Sequence, residues 1–170
     1  MLYDLTVVQF SKMLKNLSAV LAKGEAFAAS KKVDFSVLLN SRLAVDQFNL
    51  TRQVQVACDT AKMGVARLTG NEGTVPKHED TETTLAELQT RIQSVLDYLA
   101  SFKEADFADA ATRKITQPRW EGKHLNGIEF AIQHATPNIY FHVTTAYAIL
   151  RNCGVEVGKK DYLGPMPYRA

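Results

Sequence analysis

The sequence contains few of the features that stabilise or export proteins outside the cell. It has only two cysteines, Cys58 and Cys153, and both fall inside apolar helical patterns, so we expect no disulfide framework. Lys12 and Lys15 interrupt the apolar residues near the amino terminus, which argues against a secretory signal. Together these features predict a cytoplasmic protein.

An excess of charge of one sign is also lacking, because 20 Lys and Arg residues stand against 18 Asp and Glu. The resulting net charge of +2 is too small to predict a nucleic-acid partner or a membrane surface. The stretch 130–150 has no charged side chain, but it contains Gln133, two histidines, a proline and three threonines. We therefore do not expect it to span a membrane.

What the sequence does contain is apolar residues at helical spacing. In four segments they recur in alternating steps of three and four, which is the buried face of an α-helix. The segments predict helices at 3–29, 48–69, 83–103 and 127–152. Four such helices indicate an all-α fold, an antiparallel four-helix bundle over residues 1–154, with a C-terminal tail at 155–170 packed on the same domain. Turn residues around Pro118 and Gly122 predict a short β-hairpin before the last helix.

The last helix carries polar side chains on its apolar face. That face runs through Ile132, Ala135 and Ile139, and the next position on it is His142. A buried histidine must be hydrogen-bonded, metal-bound or neutral, because burying it without a partner is costly. A core histidine with a hydrogen bond and a contact to a metal or substrate both stay open.

Pro137 lies inside the same helical pattern. It removes one backbone hydrogen bond and its ring clashes with the preceding turn, which predicts a kink between His134 and Asn138. The kink is either tolerated or widens a pocket that directs polar side chains inward. His134, Asn138 and His142 are spaced by four residues, and the two histidines lie about 12 Å apart along a regular helix. At that distance, the two histidines could bind one metal ion only with strained geometry.

The second helix supplies further candidates. Cys58 is either a small core residue or a ligand or reactive thiol with a lowered pKa. Asp59 either orients a histidine or lies on an exposed helix face. Four polar residues are candidates for the lining of the same pocket: Arg52, Gln53, Gln55 and Thr145.

Several segments carry a family resemblance. Three of them resemble an uncharacterised family, a domain of unknown function, within the DinB/YfiT-like superfamily. They are Leu50-Thr-Arg-Gln-Val-Gln-Val-Ala-Cys-Asp59, Glu79-Asp-Thr-Glu-Thr-Thr84 and Phe141-His-Val-Thr-Thr-Ala-Tyr-Ala-Ile-Leu-Arg151. The resemblance spans nearly the whole chain. It implies a DinB-like four-helix bundle that is often a homodimer. Some superfamily members are divalent-metal proteins, and others are transferases that use low-molecular-weight thiols.

The resemblance also implies where a metal would bind. Metal-binding members have one histidine in the second helix and a His-x-x-x-His pair in the fourth. The last of these matches His142, whereas Asn138 stands at the position four residues earlier, and the second-helix position falls near Cys58. With one conventional ligand of three, the resemblance implies a degenerate site for a divalent ion such as Zn or Ni and leaves the cofactor unknown.

A homodimer has a second motivation in the first helix. Met13, Val20 and Phe27 widen an apolar stripe that is already complete, so the extra width either faces a second subunit or is covered by the segment 34–39 or the tail.

The functional expectation is a DinB-like protein with a small-molecule pocket in the bundle around His142. The alternative is an enzyme, a metal- or thiol-dependent transferase or hydrolase that uses an atypical Cys/Asn/His site.

Overall fold

The computed structural model describes residues 1–169 and is mostly helical. The long elements are α1 (Gln9–Ser30), which continues a π-helical turn at Asp4–Val8, then α3 (Leu50–Thr69), α4 (Leu85–Ala100) and α6 (Thr136–Asn152). Shorter elements are α2 (Phe35–Leu39), β1 (Lys114–Ile115), β2 (Leu125–Asn126), α5 (Gly127–Phe130) and α7 (Lys159–Leu163), with 3-10 helices at Glu72–Thr74, Glu104–Phe107 and Pro118–Trp120.

The four long helices pack as one bundle, which confirms the predicted fold. Helix α3 lies against α4 and α6, and α1 lies against the same two helices from the other side. Their facing side chains are fully enclosed, for example Phe10, Leu50, Leu99 and Leu150. Within residues 1–169, none of the helices combines the length and apolarity that a bilayer crossing requires.

Side-chain caps set the helix starts. Asn49 accepts a hydrogen bond from the backbone nitrogen of Arg52, so α3 begins at residue 50 rather than at the predicted 48. A capping box starts α4, because Thr84 accepts from the nitrogen of Glu87 and Glu87 accepts from the nitrogen of Thr84. The cap places the start of α4 at residue 85, two residues after the predicted position.

The last helix runs from α5 into α6 through a π-helical turn at Ala131–Ala135. Pro137 follows in the first turn of α6. Proline has no backbone N–H and would disturb a regular helix one turn earlier, and the π-helical turn lies at that place. A π turn rotates the helix face, and Ile132 is consequently 55% exposed. The prediction that Ile132 lies on the buried face is therefore wrong.

The predicted hairpin is present as an antiparallel pair in which Lys114 faces Asn126 and Ile115 faces Leu125. At the end of the hairpin, Gly127 packs closely on the backbone of the loop that precedes β1. A Cβ atom there would lie 1.7 Å from the carbonyl oxygen of Ala110, which only glycine can tolerate.

The C-terminal tail packs on α1. Asp161 forms an ion pair of 2.6 Å with Lys23, and the backbone oxygen of Tyr162 accepts from Asn16 at 2.9 Å. Tyr162 and Val20 line the same crevice, so the tail covers part of the wide apolar stripe of α1. The tail thereby covers one of the three residues that motivated a dimer, Val20, and the homodimer stays a prediction. Ala170, the last residue of the predicted tail, lies outside the described residues.

Candidate functional site

His142 is a buried core residue with a hydrogen-bond partner. It is 7% exposed, and its Nδ1 lies 2.7 Å from Oε1 of Gln53, whose amide nitrogen donates to the backbone oxygen of Phe48. Because an amide oxygen can only accept, Nδ1 of His142 carries the proton. Burial, assisted by the charge of Arg52, lowers the pKa of His142, so the ring is neutral at pH 7.

The other candidate ligands do not converge on His142. Asn138 donates to Thr60 at 3.3 Å, and Thr145 donates to the backbone oxygen of Phe141. Gln55 donates to Glu82 at 2.9 Å. No group of three or more His, Cys, Asp or Glu side chains in the described part of the chain is placed to hold a metal ion. The residues do not fit the divalent cation that the resemblance implies.

Cys58 is fully enclosed in α3. Burial raises the pKa of its thiol to about 12, so the sulfur stays protonated at pH 7 and is not a nucleophile in this conformation. Asp59 does not orient a histidine either, because its carboxylate pairs with Lys62 at 2.9 Å and Arg91 at 2.8 Å.

Arg91 is the centre of a charged network beside Cys58. Its side chain is 1% exposed and contacts the carboxylates of Asp59, Asp80 and Glu82 at 2.8, 2.6 and 3.0 Å. Burial raises the pKa values of Asp80 and Glu82, but hydrogen bonds and charge from the arginines outweigh it, so both pKa values are lowered. The network ties the loop before α4 to the bundle.

A cleft of about 410 Å³ opens between α3, the turn that leads into α6, and the 3-10 helix Pro118–Trp120. Three predicted candidates line it, Asp59, His134 and Asn138, whereas His142, Cys58, Gln55 and Thr145 do not. The full lining is Val56, Asp59, Thr60, Met63, Gly64, Arg67, Gln117, Pro118, Arg119, Phe130, His134, Ala135 and Asn138. The cleft therefore lies one to two helical turns from the predicted position.

His134 forms part of an aromatic wall of this cleft. Its ring stacks on Phe130 at 5.2 Å and meets the edge of Trp120 at 5.3 Å. Arg119 donates to Nε2 of His134 at 3.1 Å, so Nδ1 carries the proton, and this buried atom has no hydrogen-bond partner within residues 1–169. Burial lowers the pKa of His134, and the charges of Arg119 and Arg67 lower it further, so the imidazole is neutral at pH 7.

Two arginines and a buried amide also line the cleft. Among the described residues, no carboxylate lies within 4 Å of Arg67 or Arg119. Gln117 is 8% exposed, and its amide nitrogen has no partner in the same part of the chain. The sequence reasoning missed these three residues. Arg67 belongs to a predicted helix but to no motif, and no helical pattern places the segment of Gln117 and Arg119 against α3.

Comparisons with known proteins agree with this architecture. A family model for a domain of unknown function, DUF1993, matches residues 2–163. The crystal structure of a DinB family member protein from Shewanella denitrificans is 75% identical to the chain, with a TM-score of 0.98, over 100% of this chain and 96% of that one. None of the curated proteins matches the chain.

Proposed function

This protein belongs to the DUF1993 family and is DinB-like, and we propose that it binds a small molecule in the cleft between α3, α6 and the hairpin. In this proposal His142 is a structural residue of the core. The ligand site lies beside His134 and Asn138 instead.

The observation that carries the proposal is the composition of the cleft. Its volume of about 410 Å³ lies in the range of small-molecule pockets, roughly 300–1,000 Å³. Apolar side chains such as Met63 and Phe130 line one part of it, and a few polar groups converge on another part. That combination of an apolar wall and a few oriented polar groups is typical of ligand sites.

The proposal does not need a metal or a thiol. The side chains around His142 do not fit a divalent cation, since Gln53 occupies its Nδ1 and, over residues 1–169, no group of three or more His, Cys, Asp or Glu side chains is placed to hold one. A transferase or hydrolase that uses Cys58 gains no support from a fully enclosed thiol with a pKa raised to about 12.

A thermal-shift screen with a mixed library of neutral, cationic and anionic small molecules tests the proposal. A ligand at a hundred times its Kd adds about 2.7 kcal/mol of stability, which raises the Tm of a chain of this size by roughly 5–11 °C. Thr60→Phe, which fills the cleft, should abolish the shift.

Thr90→Phe is the matched control, because Thr90 is exposed on α4 and does not line the cleft. It should respond to the hits like the wild type. The proposal is wrong if no compound raises the Tm, or if the hits raise the Tm of Thr60→Phe as much as that of the wild type.

A further inference from the structure

Two arginines from distant parts of the chain face the same cleft. Arg67 lies in the last turn of α3, and Arg119 lies in the 3-10 helix between the strands of the hairpin. Burial lowers the pKa of Arg67, the negative charge of Glu72 raises it, and the positive charge of Arg119 lowers it by less than Glu72 raises it. The two guanidinium groups therefore repel each other across the cleft, and a bound anion would relieve that repulsion.

The one carboxylate in the lining does not offset these charges. Asp59 already pairs with two cations that are themselves buried, Lys62 and Arg91. The cleft consequently has an excess of positive charge.

Two buried nitrogen atoms of the cleft lining, one from Gln117 and one from His134, have no acceptor within residues 1–169. Gln117 is more than nine-tenths buried and presents an amide nitrogen that no described group accepts from. His134 accepts from Arg119 through Nε2 and so offers only a donor at Nδ1. Buried donors normally have acceptors, so a partner rich in acceptor oxygens is the matching ligand.

Apolar side chains limit what kind of anion fits. Val56, Met63 and Pro118 line the cleft and stay partly exposed. A small inorganic ion would leave this apolar surface in water, whereas a ligand with an apolar body would cover it.

We propose that the cleft binds a small organic oxyanion, a carboxylate or a phosphate on an apolar body, whose oxygens bridge Arg67 and Arg119 while Gln117 donates to them. The inference rests on the proposed function and names the class of its ligand.

The single tryptophan provides a direct test of the charge, because Trp120 packs on His134 beside the cleft. With each quenching constant divided by that of the same ion for free tryptophan, iodide, an anion, should quench Trp120 fluorescence more strongly than caesium. The ratio of the two quenching constants should fall in Arg67→Gln and in Arg119→Gln. It should not change in Arg42→Gln, which removes the same charge from an exposed position outside the cleft.

Calorimetry with three probes tests the ligand class. The probes share a phenyl ring and differ in the head group: benzoate, phenyl phosphate and neutral benzamide. We expect benzoate or phenyl phosphate to bind at least about tenfold more tightly than benzamide, and the stronger of the two identifies the oxyanion. Arg119→Gln should raise the Kd of the stronger anion by about tenfold or more. Arg119 is exposed, so its loss should not unfold the chain.

Equal quenching by iodide and caesium would overturn the inference, and so would the absence of binding by both anions up to their solubility limits. If neutral compounds bind in the cleft and neither arginine affects them, the anion inference fails while the proposed function stands. If no compound of any charge binds, both fail.

Discussion

Replacing Arg91 by Met should destabilise the protein by about 3 kcal/mol. Removing one member of a buried ion pair costs about 3–5 kcal/mol, because its partners are left without compensation. Here the arginine is 1% exposed, but the side chains of Asp59 and Asp80 are 35% and 36% exposed and so keep part of their hydration. Only Glu82, at 12%, is left well inside the protein. The lower end of the range therefore applies.

The loss should depend on pH. Asp80 and Glu82 have lowered pKa values in the folded chain, so their contribution is present above their unfolded pKa values near 4 and is lost as pH falls through the folded ones. Arg91→Met removes the largest cause that lowers the pKa of Glu82, and for Asp80 it removes one of two arginines that lower the pKa, the other being Arg52. The difference in stability between wild type and variant should therefore be largest at pH 7 and shrink towards pH 3.

Urea unfolding followed by circular dichroism at pH 7, 5 and 3.5 measures this difference. A loss of about 3 kcal/mol corresponds to a fall in Tm of roughly 6–12 °C for a chain of this length. Arg52→Met is the control, because Arg52 is 38% exposed and pairs only with Asp80, so we expect a loss below about 1 kcal/mol. A loss below about 1 kcal/mol for Arg91→Met, or one that is the same at all three pH values, would refute the reasoning.

Three further predictions concern the core and the assembly. His142→Gln should lower the free energy of unfolding by about 1–3 kcal/mol, because Gln53 loses a buried partner; a rise in wild-type Tm with Zn²⁺ or Ni²⁺ in untagged protein would contradict the metal-free role of His142. Gly127→Ala should cost more than about 2 kcal/mol in urea unfolding, since its Cβ would overlap the backbone of Ala110, while Gly73→Ala, with open space around it, should cost less than about 1 kcal/mol. Sedimentation at micromolar concentration should show a homodimer, and a single species of 18.9 kDa would contradict this.

Local sequence patterns were sufficient for the architecture. A helix in a bundle buries one face, so its apolar residues must recur every three or four positions, and that spacing can be read without knowing the partner helix. The cap at Thr84 is equally local, because donor and acceptor lie three residues apart. For the same reason the prediction of four helices and a hairpin holds, with errors of two or three residues at some helix ends.

The partner of His142 and the location of the cleft depend on the tertiary structure. The sequence showed that His142 lies on a buried face and needs a partner, and Gln53 was one of several polar candidates. It became the partner because packing of α3 against α6 brings together two side chains 89 positions apart. The cleft forms only when the hairpin packs on the bundle, because this packing places Arg119 beside His134. It also depends on the π turn, which rotates the helix face. Spacing along one helix reports which side is buried, whereas distances between elements are set only when they pack.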